Sequence, residues 1–147
     1  SPKRIIIDKN LDIKLTSYIF KSAKRDNTIL FYHSSNTKKI KILKKKGLNL
    51  IKTKLSNEGL LDLKIVLKKL FTLGTRSLLV EGGDKISKSL IKNRLIDTFY
   101  LFQSPKILRV NKINQVFTSF AILNSKYKKI SKITSKLAKD NITIYKR

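Results

Sequence analysis

The stretch from Asp62 to Ile91 constrains the fold most, because helix and strand patterns follow one another there without a spacer. After Asp62, apolar residues recur at helical spacing and place one stripe on one face as far as Leu73. Gly74 supplies a left-handed C-cap. Ser77–Val80 is typical of an apolar strand, Glu81-Gly82-Gly83 of a tight turn, and Ile86, Leu90 and Ile91 of a second helix. Such alternation predicts an α/β layered sheet.

Other apolar runs of the first half extend this pattern. Those predicted as buried strands are Arg4–Asp8, Thr28–Tyr32 and Leu48–Ile51. Lys38–Lys46 predicts a short helix that ends at Gly47. Leu11–Ala23 is irregular and favours a loop, with one short strand or turn near Tyr18-Ile19-Phe20.

The second half adds three more strand patterns. Thr98–Phe102 is followed by Ser104-Pro105, which closes the strand because proline cannot donate to a ladder. Lys128–Ile133 and Ile142–Tyr145 flank the turn-forming pair Asp140-Asn141. Their close spacing predicts an antiparallel edge. Without a repeat or linker, the 147 residues are interpreted as one domain.

The net charge of +25 allows two interpretations. One is a partner rich in phosphate, so a lysine-rich nucleic-acid-binding protein is the alternative function. However, only six of the 34 basic residues are arginines, which supply the bidentate contacts to phosphates and guanine. Abundant lysine, isoleucine and asparagine also match A+T-biased coding. We therefore favour solvated lysine faces over a nucleic-acid site.

The rarer residue types limit the chemistry. No cysteine is present and His33 is the lone histidine, so thiolate metal sites and imidazole dyads are not expected, and His33 is interpreted as structural. No apolar run approaches the roughly 20 residues that cross a bilayer. We therefore expect a cytoplasmic protein with no membrane partner and no metal site.

The pair Gly82-Gly83 is the best candidate for a ligand site. Backbone amides at the start of a helix are unpaired and carry the positive end of the helix dipole, so they suit a phosphate. Glycines let the backbone approach closely. By itself this signal is weak, because paired glycines often make only a tight turn, and the G-x-G-x-x-G fingerprint is absent.

The order of several motifs makes the signal more specific. In sequence, they are Pro2-Lys3-Arg4-Ile5-Ile6-Ile7-Asp8, the helix from Asp62, Ser77-Leu78-Leu79-Val80-Glu81-Gly82-Gly83, Leu95-Ile96-Asp97, Ser104-Pro105-Lys106-Ile107-Leu108 and Asp140-Asn141-Ile142. This series resembles the C-terminal reductase domain of the bifunctional riboflavin-biosynthesis deaminase-reductases. The resemblance spans nearly the whole chain.

The resemblance implies a dihydrofolate-reductase-like α/β fold, a three-layer mixed sheet flanked by helices. It implies reduction of 5-amino-6-(5-phosphoribosylamino)uracil, a small-molecule pyrimidine, to the ribitylamino product with NADPH as hydride donor. Such a protein mainly orients donor and acceptor and needs no nucleophile. A homodimer is left open, as is a noncatalytic relative that keeps the fold for oligomerisation.

By position, the resemblance also assigns site residues. Glu81 matches the substrate-contacting glutamate. The cofactor-binding positions are Lys9, Gly82, Gly83, Asp84, Lys85, Ile86, Ser87, Lys88 and Ser89. Lys9 stands where the family has a small hydroxyl residue, so it either adds a contact to the 2′-phosphate of NADPH or marks a lost one.

Each assignment has a plainer alternative. Glu81 could cap the helix or pair with a lysine, Ser87 and Ser89 could be ordinary helix residues, and Lys85 and Lys88 could belong to the lysine surplus. Asp97 is expected to begin a strand. Arg109 stands where the family tends to have glycine, so the resemblance is weaker there.

Two family features are missing from the sequence. No zinc-deaminase signature is found, so no deaminase domain is expected. The S-L-D-G strand and arginine-bearing helix of the reductase domain are also not found. We therefore expect the chain to correspond to roughly the later two-thirds of that domain. On this hypothesis it keeps part of the cofactor surface and is weak or inactive as a reductase alone.

Overall fold

The structure, a computed structural model, describes residues 2–24, 27–104, 117–134 and 140–147. It divides into two compact units, Ser1–Ser77 and Leu78–Arg147. The first unit contains β1 (Arg4–Ile7), α1 (Tyr18–Lys21), β2 (Thr28–Tyr32), α2 (Thr37–Lys45), β3 (Asn49–Lys52) and α3 (Leu63–Thr72). The second contains α4 (Asp84–Lys92), β4 (Thr98–Gln103), α5 (Phe120–Lys126), β5 (Lys128–Thr134) and β6 (Asn141–Lys146).

The first unit is built on a parallel sheet in the order β1-β2-β3. Every residue of the central strand β2 is buried, which explains its continuous apolar sequence. Leu30 packs on one face of the sheet with Leu43 of α2, and Phe31 packs on the other with Val66 of α3. The first unit therefore has helices on both faces of its sheet.

Both long helices of the first unit end as the glycines predict. Gly47 has φ 98° and Gly74 has φ 88°, the left-handed region that favours glycine. The N–H of Thr75 donates to the Leu70 carbonyl, and that of Gly74 donates to the Phe71 carbonyl. This pair of bonds is a Schellman motif, which satisfies carbonyls at the helix end.

The second unit contains an antiparallel sheet in the order β4-β6-β5. One face packs through Leu101 and Tyr145 against Ile91 of α4 and Leu123 of α5. On β4, Tyr100 and Phe102 alternate with Leu101 and are 56% and 67% exposed. The predicted antiparallel edge is confirmed, and so is the mixed α/β class.

Three local predictions are wrong. Ser77–Val80 forms no strand, and its apolar side chains are exposed, 82% in the case of Leu79. The apolar pattern is present, but a strand also needs a hydrogen-bonded neighbour, and no pairing among the described residues includes this segment. The second error is the strand or turn near Tyr18, where α1 forms behind the N-cap Ser17. The third is the tight turn at Glu81-Gly82-Gly83, because residues 81–83 have neither a turn nor a bend and Gly83 has an extended backbone.

Some predictions fall outside the described residues. These are the closure of β4 by Pro105, the family-like segment as far as Leu108, and the departure at Arg109. The remaining strands and helices predicted from the sequence are confirmed to within a few residues at their ends.

Candidate functional site

The two glycines ahead of α4 have different surroundings. A Cβ built on Gly82 would lie 2.2 Å from Cγ2 of Ile86, so close packing against the first turn of the helix excludes a side chain there. A Cβ built on Gly83 would meet no heavy atom within 4 Å. Gly82 therefore packs closely on the first turn of the helix, while the space beside Gly83 is open.

Helix α4 begins directly after Gly83, which is its N-cap with φ −74° and ψ 178°. No side chain at that cap accepts a bond from the first-turn amides. Those amides carry the positive end of the helix dipole, and the side chains of Lys85 and Lys88 are exposed near them. The start of α4 thus combines an open backbone with nearby cations, an arrangement that suits a phosphate group.

Buried residues on the other side of α4 hold the helix in place. Leu90 and Ile91 are buried, and Ile91 packs with Leu123 of α5. Ser87 and Ser89, two of the predicted cofactor residues, are half-buried, and Ile86 packs over Gly82. The helix therefore presents its exposed positions on a fixed support.

Asp84, the first residue of α4, is bound by the segment that precedes α5. Its Oδ1 accepts from the N–H of Thr118 at 3.0 Å and from Oγ of Ser119 at 3.3 Å. Its Oδ2 accepts from Oγ1 of Thr118 at 2.7 Å. The Thr118 side-chain bond is the main cause that holds the pKa of Asp84 below its usual value, and the Lys88 charge adds to it.

The other two assigned residues, Glu81 and Lys9, lie in different units. Glu81 is exposed immediately before the Gly82-Gly83 pair in the second unit. Lys9 lies in the first unit, after β1, where its Nζ donates to the Gly59 carbonyl at 3.0 Å. The structure thus brings Glu81 and residues 82–89 together on one segment, whereas Lys9 belongs to a separate unit.

His33 has a structural contact at the end of β2. Its backbone N–H donates to the Lys9 carbonyl at 2.9 Å. The ring Nδ1 lies 2.7 Å from the Thr53 carbonyl, to which it donates. These bonds join the carboxyl ends of three neighbouring strands. The interpretation of His33 as a structural residue is consistent with this contact.

Thr118 and Ser119 were not expected from the sequence. Ser119 is the N-cap of α5 and only 1% exposed, and the apolar residues after it form the helix. A serine ahead of such a run is an N-cap signal, so the helix could have been found. Its bond to a carboxylate 35 positions earlier could not, because no local pattern encodes that pairing.

The described residues hold no group of three or more His, Cys, Asp or Glu side chains arranged for a metal ion. Asp97 pairs with Arg147 at 3.2 Å on the surface, just before β4, as expected of a residue that begins a strand. Among the described helices, none has the length and apolar character needed to cross a bilayer.

Comparison with known proteins identifies the family. Residues 1–139 match the family described as the RibD C-terminal domain. The riboflavin biosynthesis protein RibD of Aquifex aeolicus is 35% identical over 107 residues, and that of Actinobacillus pleuropneumoniae is 27% identical over 107 residues. Each match covers 73% of this chain and 28% of the relative, so the chain aligns with little more than a quarter of those proteins.

Solved structures give the same fold. RibD of Acinetobacter baumannii (form 2) superimposes with a TM-score of 0.71 at 21% identity over 99% of this chain and 37% of that chain. A pyrimidine reductase-like protein of Corynebacterium diphtheriae gives 0.74 at 17% identity over 99% of this chain and 60% of that chain. The family match over residues 1–139 and this shared fold place the chain in the RibD C-terminal domain family.

Proposed function

We propose that this chain works as part of a riboflavin-biosynthesis pyrimidine reductase and binds NADPH at the Gly82-Gly83 pair and the start of α4. The family match over residues 1–139 is the observation that carries the proposal. The substrate is 5-amino-6-(5-phosphoribosylamino)uracil, whose ribosyl group becomes a ribityl group. The site of action is the cytoplasm.

The residues around the Gly82-Gly83 pair fit a dinucleotide phosphate. Open space beside Gly83 admits a ligand to the backbone, and no side chain of that cap competes for the first-turn amides. Lys85 and Lys88 add positive charge on the exposed side. An anion beside these groups is stabilised both by the helix dipole and by the lysines.

Glu81 contacts the pyrimidine in this proposal. It is exposed and directly precedes the Gly82-Gly83 pair, so a substrate held by its carboxylate lies next to the bound cofactor. NADPH, when bound, supplies the hydride that the ribosyl group must accept. The chain's own task is to hold donor and acceptor in register, and it needs no nucleophile.

Ligand-dependent thermal stability tests the cofactor proposal. NADPH raises the midpoint of unfolding more than NADH does, because ligands that bind only the folded state stabilise it. Inorganic tripolyphosphate at matched charge is the control, since a chain with net charge +25 attracts any polyanion. Equal shifts with all three compounds would contradict the proposal.

A second measurement separates the substrate residue from the cofactor residues. Glu81→Gln keeps the affinity for NADPH and lowers the affinity for the pyrimidine substrate, whereas Lys85→Ala lowers the affinity for NADPH. Lys9→Ala weakens NADPH but leaves NADH unchanged if Lys9 contacts the 2′-phosphate. Salt-dependent retention on DNA with no selectivity for NADPH would instead favour the nucleic-acid alternative.

A further inference from the structure

The carboxylate of Asp84 is bound by the segment that precedes α5. Both of its oxygens accept hydrogen bonds, and all three donors belong to Thr118 and Ser119. A negative charge in direct contact with a cofactor phosphate would repel it. The position of Asp84 in the cofactor segment therefore needs another explanation than ligand contact.

Ser119 gives a second reason to consider this contact. Although it is the N-cap of α5, its side chain does not cap that helix. Its hydroxyl donates to Asp84 instead, and the residue is almost completely buried. The start of α5 is thus built to hold the start of α4.

The other ends of the same two helices are joined as well. Nζ of Lys126, in the last turn of α5, donates to the carbonyl of Lys92, the last residue of α4. Between the two contacts, Ile91 packs with Leu123. The two helices therefore run side by side in the same direction. Asp84 fixes the N-terminal end of α4, which follows the Gly82-Gly83 pair.

We infer that Asp84 is a positioning residue, which binds Thr118 and Ser119 and thereby holds the first turn of α4 in the orientation that receives a phosphate. This inference rests on the proposed function. Thr118 and Ser119 join the site as residues that act through Asp84. The charge of Lys88, one turn along α4, supports the ionised carboxylate.

NADPH titration of the wild-type chain and three variants tests this role. Asp84→Ala weakens NADPH binding about tenfold, because all three hydrogen bonds from Thr118 and Ser119 are lost. Thr118→Val removes one hydroxyl donor but keeps the backbone N–H, so it weakens NADPH binding less than Asp84→Ala does. In the double variant, Thr118→Val adds nothing to Asp84→Ala, because the two residues act through one contact.

Ser125→Ala is the matched control on α5, because its hydroxyl donates only within that helix, to the Ile122 carbonyl. It leaves NADPH affinity unchanged. Additive losses, no loss with Thr118→Val, or tighter binding with Asp84→Ala would each overturn the inference. A merely structural role predicts that affinity follows thermal stability across all variants, including the control.

Hydrogen exchange without ligand keeps the test independent of the proposed function. The N–H of Ser87 donates to the Gly83 carbonyl at the start of α4. Its exchange becomes faster in Asp84→Ala and Thr118→Val but not in Ser125→Ala. If wild-type chain fails to bind NADPH, the proposed function fails, and this exchange alone decides the inference, with unchanged rates overturning it.

Discussion

The two units of the chain secure their secondary structure in different ways. In the first unit, the central strand β2 is buried on both faces between two helical layers. In the second, one face of the antiparallel sheet packs on α4 and α5, while Tyr100 and Phe102 on the other are exposed. The assigned cofactor segment lies in the second unit, so the candidate site belongs to the unit whose sheet has an exposed face.

Helix ends show the same difference. In α3, Asp62 caps its own helix by accepting from the N–H groups of Lys64 and Ile65. In α4, Asp84 instead binds the segment before the neighbouring helix. A local cap depends only on adjacent residues, whereas the Asp84 contact depends on the packing of two helices.

The largest expected effect compares two phenylalanines. Phe31→Ala in β2 removes a fully buried ring, and we expect a loss of about 3–5 kcal/mol in the free energy of unfolding. Phe102→Ala in β4 removes a ring that is 67% exposed, with an expected change within about 0.5 kcal/mol. Urea denaturation measures both. Equal losses would break the contrast between the two sheets.

The Gly82-Gly83 pair gives the next largest effect. Gly82→Ser places a Cβ 2.2 Å from Cγ2 of Ile86, a branch atom with little freedom to move, so we expect a loss of about 1–3 kcal/mol. Gly83→Ser enters open space at an N-cap, where serine is favourable, and changes stability by less than about 0.5 kcal/mol. Thermal unfolding of both variants checks this, and a reversed order would rule out the packing at Gly82.

Helix C-termini allow a smaller test in opposite directions. Arg94 ends α4 with φ 53°, in the region where Gly74 ends α3 with φ 88°. Arg94→Gly should raise the free energy of unfolding by up to about 1 kcal/mol, and Gly74→Ala should lower it by about 1 kcal/mol. Calorimetry distinguishes the signs. Two losses would mean that Arg94 does not follow the geometry of Gly74.

The pH dependence of Asp84 is the smallest effect. Since bonds from Thr118 lower the pKa of its folded-state carboxyl, the stability from the ionised form is present above the ordinary carboxyl pKa. That stability is lost as the pH falls through the lowered pKa. The difference in melting temperature between wild type and Asp84→Asn should therefore shrink on acidification below about pH 4. A constant difference would argue against the ionised contact.

Sequence patterns predicted most of the first unit because its signals are local. The mostly apolar run of β2 gives the strand bounds, and Gly47 and Gly74 mark the helix ends through their backbone conformation. The helix that begins after Gly83 was predicted in the same way. For these elements, neighbouring residues contain the physical cause.

Prediction failed where the cause lies far along the chain. Ser77–Val80 has the composition of a strand, but strand formation depends on a hydrogen-bonded neighbour. The bonds from Thr118 and Ser119 to Asp84 likewise join positions far apart in sequence. The roles of Glu81, Lys9 and residues 82–89 came from the family resemblance, and they stay predictions.

A titration with NADPH followed by amide NMR tests the central claim, that a dinucleotide phosphate binds at the start of α4. We predict saturable shifts centred on the amides of Gly82, Gly83 and Lys85, with smaller shifts for NADH. Shifts spread over the lysines of α2, or equal shifts with tripolyphosphate, would contradict the claim, because they would show that charge alone attracts the ligand.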